Sequence, residues 1–191
     1  MAIITTYLNF VANITIPNSA PSLAEGANLD KLINQFEPKM LKDIFGYKMY
    51  DDMQTNYTQG SGAWHDLIAG ATYIDSSNNT QYWDGFRTVG LNPIANYIYC
   101  KWHEQNVTNT VSLGERKGNF ENMEQAALHS KYIKAWNEMV DMLIVMDEFI
   151  TINKDDYTNY IGLTFFIDGN YNNFNRLPSN IRYFKKINGM I

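Results

Sequence analysis

LDKLINQFEPKMLKDIFGYKMYDDM, residues Leu29–Met53, sets the architecture of this chain. Apolar residues fall at Leu29, Leu32, Ile33, Phe36, Met40, Leu41, Ile44 and Phe45. Spacing by three and four lays one continuous stripe along a helix. Asn28 or Asp30 can cap its start, and Gly46 can end its second half in a left-handed turn. Pro38 lacks the N–H of an unbroken helix. The pattern admits one kinked helix, or a short helix to Phe36 followed by a second with Pro38 in its first turn. The second reading is preferred, because a residue before proline resists the α conformation. A further helical piece is expected from Tyr47 to about Tyr57. The stretch specifies a helical core and carries no chemistry.

Working outward, 191 residues suffice for one domain with a real core and arms. At 45% hydrophobic and 14% aromatic, the composition is that of a folded chain. One cysteine, Cys100, excludes an intrachain disulfide framework and fits a reducing compartment. Residues 1–24 hold no Lys or Arg, so no signal-peptide n-region is expected, and no apolar run is long enough for a membrane span. The expectation is a soluble chain, intracellular where it is made.

The net charge of −5 is unevenly spread. Gly169–Ile191 contains Arg176, Arg182, Lys185 and Lys186 and no acid, leaving 11 basic and 20 acidic residues in the rest. An acidic body with a basic tail is not the footprint of a nucleic-acid binder, which presents a basic face. It points to a tail that docks on an acidic surface, such as that of another copy.

Three parts are expected: an N-terminal arm (1–24), a helical domain (25–150) and a C-terminal arm (151–191). The first arm is uncharged, and Ala2, Ile4, Leu8, Phe10, Ala12, Ile14 and Ile16 alternate loosely with polar residues. It reads as a strand stopped by Pro17 and Pro21, although a short helix also fits. Such an edge needs cover from its own domain or from a neighbour. Residues 63–70 form a short helix closed by Gly70. Residues 72–75 and 80–83 flank Ser76-Ser77-Asn78-Asn79 as a β-hairpin. Residues 91–105 form a helix with Pro93 in its first turn and a stripe of Ile94, Tyr97, Ile98, Lys101 and Trp102. Residues 106–119 read as an exposed polar loop, and 121–150 as the longest helix. There Glu138, Asp141, Asp147 and Glu148 are expected to face water. The fold class is mainly α: a helical bundle with a β-hairpin loop and extended arms.

No reactive constellation is legible. There is no GxGxxG and no GxxxxGK[ST]. His65, His103 and His129 are scattered without metal-ligand spacing. Trp64-His65-Asp66 and His103-Glu104 are neighbours in sequence, which do not share a helix face. Cys100 sits among apolar helix residues as a core thiol. The pairs Asp51-Asp52, Asp147-Glu148 and Asp155-Asp156 resemble solvated helix ends. Aromatics lie on helix stripes without the interleaved basic residues of a base-stacking groove. No catalytic residue, cofactor or metal is expected.

The order of FEPKMLKDIFGYKMY (36–50), WHDLIAG (64–70), WDGF (83–86), the tyrosine-rich helix Ile94–Trp102 and Trp136-Asn137-Glu138-Met139 resembles one known family. It is similar to the head–tail connector (adaptor, or neck ring) proteins of tailed bacteriophages, especially crAss-like and other Bacteroidetes-infecting phages. The resemblance covers roughly residues 28–145. It implies a structural virion protein without catalytic residues, forming a ring of about twelve copies. That ring would sit below the portal, extend the DNA channel and support the next neck or tail protein. Double-stranded DNA would pass through without sequence-specific binding, and the acidic body suits a channel that must not grip phosphates. Assembly would occur in the bacterial host cytoplasm, with no membrane involved. The two arms lie outside the resemblance. From charge and apolar character, Arg176, Arg182, Tyr183, Phe184, Lys185, Lys186, Ile187 and Ile191 are the expected contacts with the portal or a neighbouring subunit. Asp75, Asn78 and Asn79 in the hairpin, and Glu115, Arg116 and Lys117 in the polar loop, are candidate channel-lining or projecting residues. A head-completion stopper or tail terminator is the nearest alternative. A small monomeric regulatory binding domain is the alternative from a different class.

Overall fold

A computed structural model describes residues 4–16, 24–57, 60–111, 114–117, 125–160 and 162–163. In chain order its helices are α1 (Ala24–Asn56), α2 (Ala63–Ala69), α3 (Pro93–Val107) and α4 (Gln125–Ile152). Antiparallel hairpins β1–β2 (Ala71–Ile74, Thr80–Trp83) and β3–β4 (Thr108–Val111, Gly114–Lys117) lie between them. The described chain is mainly helical with a projecting hairpin, as its sequence pattern specifies. None of the helices, among the described residues, is long and apolar enough to cross a membrane.

The centre of the core is α3, which packs on both α1 and α4. Every residue from Asn92 to Cys100 is buried, so the helix is enclosed rather than striped. Its start is capped from outside the helix. Asn92 Oδ1 accepts the N–H groups of Ile94 (2.9 Å) and Ala95 (3.1 Å), and Pro93 occupies the first turn. Asn96, buried mid-helix, donates its amide to the Ala135 carbonyl of α4 at 2.9 Å. Phe36 meets Tyr97 edge to face, 6.2 Å between ring centres, tying α1 to the same helix.

Contrary to the preferred sequence reading, α1 does not divide at Pro38. It runs through the proline and breaks at Gly46 (φ 73°, ψ 164°), before resuming over 47–56. Proline's fixed φ is itself helical, and the buried stripe of Phe36, Met40 and Leu41 holds the chain in register across it. At Gly46 the positive φ is open only to glycine at low cost.

Residues 4–16 also differ from the strand expectation. They form two 3₁₀ turns, Tyr7–Asn9 and Ala12–Ile14, the first closed by Asn9 Oδ1 accepting Thr6 N–H at 2.8 Å. Ile4, Phe10, Ile14 and Ile16 are buried in the domain's own core. Among the described residues no strand lies beside the segment to complete a ladder, and these four apolar residues are buried through turns instead. The polar loop expected at 106–119 contains the second hairpin, with Val111 paired to Gly114. Residues 151–163, read from the sequence as the start of the C-terminal arm, close against the body. Tyr157 donates to the Ala63 carbonyl (2.5 Å), Tyr160 and the Leu163 N–H both donate to Asp147 Oδ1 (2.6 Å each), and Asn159 donates to Asp52.

The first hairpin is clasped to α2. Trp83 Nε1–H donates to the Leu67 carbonyl (2.8 Å), and Phe86 N–H donates to the Ile68 carbonyl (2.8 Å). Gly85 (φ 80°) passes so close to the end of α2 that a Cβ would lie 2.4 Å from Gly70 N and 2.5 Å from the Ala69 carbonyl carbon. Both obstacles are backbone, so neither can swing aside. Replacing Gly85 by Ala is therefore expected to cost about 3 kcal/mol or more, combining a positive-φ penalty with backbone displacement. Urea denaturation measures it, and a loss under about 1 kcal/mol would contradict the clasp.

Candidate functional site

The residues proposed from sequence divide into three groups. Asp75, Asn78 and Asn79 do sit together at the tip of β1–β2. Asp75 Oδ1 accepts the N–H groups of Ser77 (2.9 Å) and Asn79 (2.8 Å), and Oδ2 accepts amide donors from Asn79 (3.3 Å) and Gln81 (2.9 Å). Asn78 takes the left-handed conformation the turn requires (φ 64°). These bonds, with that from the Asn79 backbone foremost, hold the Asp75 carboxyl below its usual 3.8. The tip is thus a rigid, negatively charged knuckle. Glu115, Arg116 and Lys117 lie on β4, paired with Thr110, Asn109 and Thr108. Arg176, Arg182, Tyr183, Phe184, Lys185, Lys186, Ile187 and Ile191 lie outside the described residues.

The hairpin has two unlike faces. Tyr73 and Trp83 point inward and are buried. Tyr73 stacks edge to face on Phe149 (5.6 Å) and donates to Glu148 Oε2 (3.0 Å), which with burial pushes its phenol up to about 12. Outward, the pairs Thr72–Tyr82 and Ile74–Thr80 share one exposed face. Ile74 and Tyr82 leave apolar surface in solvent there.

A second feature lies where the Ala12–Ile14 turn and the loop before α3 meet α4. Val11, Ile14, Leu91 and Met142 line a cleft of about 290 Å³, with Glu138 and Asp141 among its walls. Val89 and Leu91 are exposed apolar residues of the same loop, and Leu8 is exposed on the preceding Tyr7–Asn9 turn. Sequence reading did not identify this cleft, because its walls come from three distant segments. Its only local signal was Glu138 and Asp141 on one side of α4.

Reactive groups are few. Cys100 is buried, and burial with the nearby Glu104 charge pushes its thiol up to about 12, far from a thiolate nucleophile. His65 Nδ1 does reach Asp66 Oδ1 at 3.4 Å despite their adjacency, through side chains that lean together on the surface of α2. Such an exposed pair contributes little. His103 is buried against Tyr132, 5.5 Å between rings, and His129 lies on α4. Among the described residues no group of three or more His, Cys, Asp or Glu is placed to hold a metal ion. Two acids expected to face water act as anchors instead: Asp52 and Asp147 hold the 157–163 segment.

The acid with the most unusual setting is Glu37, which the sequence hid between Phe36 and Pro38. It is 2% exposed, and its carboxylate accepts the N–H groups of Ile4 (2.9 Å) and Thr5 (2.7 Å). Burial raises its pKa above 4.5, opposed by those bonds, the Thr5 side chain and the Arg87 charge. This arrangement is a structural clamp on the N-terminal segment.

No protein-family model, no curated protein and no solved structure matches this chain.

Glu37→Ala leaves two buried N–H groups without an acceptor and is expected to cost about 2–4 kcal/mol. Protease cleavage within residues 4–16 should accelerate. The raised pKa means that the folded protein holds the Glu37 proton more tightly than the unfolded chain does. The charge therefore opposes folding above that pKa, and the opposition fades as pH falls toward 4.5. The stability of wild type relative to that of Glu37→Gln should accordingly rise as pH falls from neutral toward 4.5, measured by denaturant melts at each pH. A relative stability that falls over that range contradicts the assignment.

Proposed function

We propose that the chain is a non-catalytic structural subunit that associates head to tail into a ring, as a neck component between the head and tail of a phage virion. In that role it extends the DNA channel below a portal and carries the next neck or tail protein. The observation that carries this reading is a pair of unlike apolar surfaces on one rigid helical body. A closed ring requires two different patches on each subunit. The hairpin face of Ile74 and Tyr82 is one. Val89 and the cleft-rim residue Leu91, exposed on the loop before α3, are the other. The hairpin is anchored on α4 at Glu148 and Phe149, whereas the cleft meets α4 at Glu138–Met142, roughly 10–15 Å away along the axis. Isolated exposed apolar residues are ordinary. Paired on a projecting hairpin, they are suited to burial against a neighbour. The net charge of −5 supports passage of DNA without adhesion, and the basic tail supports docking on an acidic partner surface.

Burial of Ile4, Phe10, Ile14 and Ile16 in their own domain favours, at that one point, the second reading of a self-contained binding domain, because these side chains need no neighbour to cover them.

Mass photometry and electron microscopy of the full chain, alone and with a portal protein, test the proposal. A ring is expected, and a chain that stays monomeric in both conditions overturns it. Ile74→Glu combined with Tyr82→Glu should abolish the ring while moving Tm by no more than about 4 °C, since both side chains are exposed. Truncation after Leu177 should abolish attachment to the portal.

A further inference from the structure

We infer that the cleft between the Ala12–Ile14 turn and α4 is the receptor for the segment Arg182-Tyr183-Phe184-Lys185-Lys186-Ile187 of a neighbouring copy. This rests on the ring reading and names the contact that would join its subunits.

Three observations converge on that occupant. The first is chemical match. The cleft presents an apolar floor of Val11, Ile14, Leu91 and Met142 beside the Glu138 carboxylate, with Asp141 also in its wall. A complementary ligand carries large apolar side chains flanked by cations. Residues 182–187 supply two aromatics between Arg182 and the pair Lys185-Lys186, inside a tail with no acid from Gly169 onward. The rim cation Lys134 is 3.8 Å from Glu138 in an exposed helix pair, which an incoming base displaces at little cost.

The second is size. A volume of about 290 Å³ is at the low end for a ligand pocket. It accommodates about one or two large side chains of an extended peptide, not a folded domain.

The third is the point of departure of the tail. The last described residue, Leu163, is bonded to Asp147. Glu138 and Asp147 stand half a turn apart around α4, because 3.6 residues complete one turn. Leu163 is therefore held on the side of α4 away from the cleft. Donor and acceptor on unlike faces of one subunit produce a heterologous contact, which closes into a ring or propagates as a filament. The chain from Leu163 to Tyr183 can span roughly 70 Å at most, enough to reach an adjacent copy.

Cysteine cross-linking of full-length chains tests the contact. Asn13→Cys places a thiol in the exposed cleft wall, and Ile187→Cys places one at the end of the segment, while the native Cys100 is buried. Mixing the two single variants under mild oxidation should give a dimer containing one of each. Lys185→Glu with Lys186→Glu in the Ile187→Cys chain should slow that cross-link on the order of tenfold, and Glu138→Lys with Asp141→Lys in the Asn13→Cys chain should restore it. A cross-link formed only within a single Asn13→Cys/Ile187→Cys chain overturns the proposal in favour of self-docking. A cross-link indifferent to the charge reversals overturns it as random collision. Sedimentation of the unmodified chain separates the remaining cases. An oligomer without the cross-link sinks the cleft assignment and leaves the ring, whereas a monomer without it sinks both.

Discussion

Enclosing a helix on every side removes water from its whole circumference, so the surrounding elements must supply both its apolar contacts and its polar partners. From Asn92 to Cys100, α3 is in that position, and the rest of the domain is arranged to meet the demand. Packing of α1 supplies one wall through Phe36 against Tyr97. The opposite wall is α4, which offers the Ala135 carbonyl to Asn96. A buried amide of this kind is costly without its acceptor, so it fixes the register of α4 against α3 in a way that apolar packing alone does not. Once α1 and α4 are placed, the remaining elements close over what they leave open: residues 4–16 at one side, the hairpin and 157–163 at another.

Carboxylates perform much of that closure. Glu37 grips the N-terminal backbone, and Asp52 and Asp147 hold the segment after α4. Each is a helix-borne acid that accepts donors from a segment of little regular structure, whose backbone N–H groups have no ladder to join. Asp75 works similarly within its own turn. In each of these contacts the negative group serves as a hydrogen-bond acceptor, and the net charge of −5 leaves the chain a net negative field.

Helix and hairpin periodicity was legible because it depends on neighbours three, four or two residues away. The stripe from Leu29 to Phe45, Pro93 at the start of α3, Gly70 after α2 and the turn at Asn78 all follow from local rules. What escaped depends on distance in sequence. Glu37 carries no local signal, and its role appears only when Ile4 and Thr5 arrive from more than thirty positions away. Pro38 reads as a helix boundary until burial on both sides outweighs one lost hydrogen bond. Of the even-numbered apolar residues of 4–16, Ile4, Phe10, Ile14 and Ile16 are buried through 3₁₀ turns while Leu8 and Ala12 are exposed, and no partner strand lies there among the described residues. The second hairpin had a signal in Thr108, Thr110 and Val111 before Gly114, masked by the polar residues around it. The cleft had almost none, since its walls are assembled only by the tertiary fold.

The clasp of Trp83 and Phe86 onto the end of α2 bridges very little chain: the bond from Trp83 to Leu67 spans 16 positions, against 32 for that from Thr5 to Glu37. Closing a short loop loses less entropy than closing a long one, so local contacts of this type form early in the search for the native state. Residues 63–86 accordingly have the makings of a nascent unit around which later parts of the chain condense. That order has a benefit. The face bearing Ile74 and Tyr82 takes shape together with its rigid support, instead of remaining as a loose adhesive strand while the rest of the polypeptide is still finding its place.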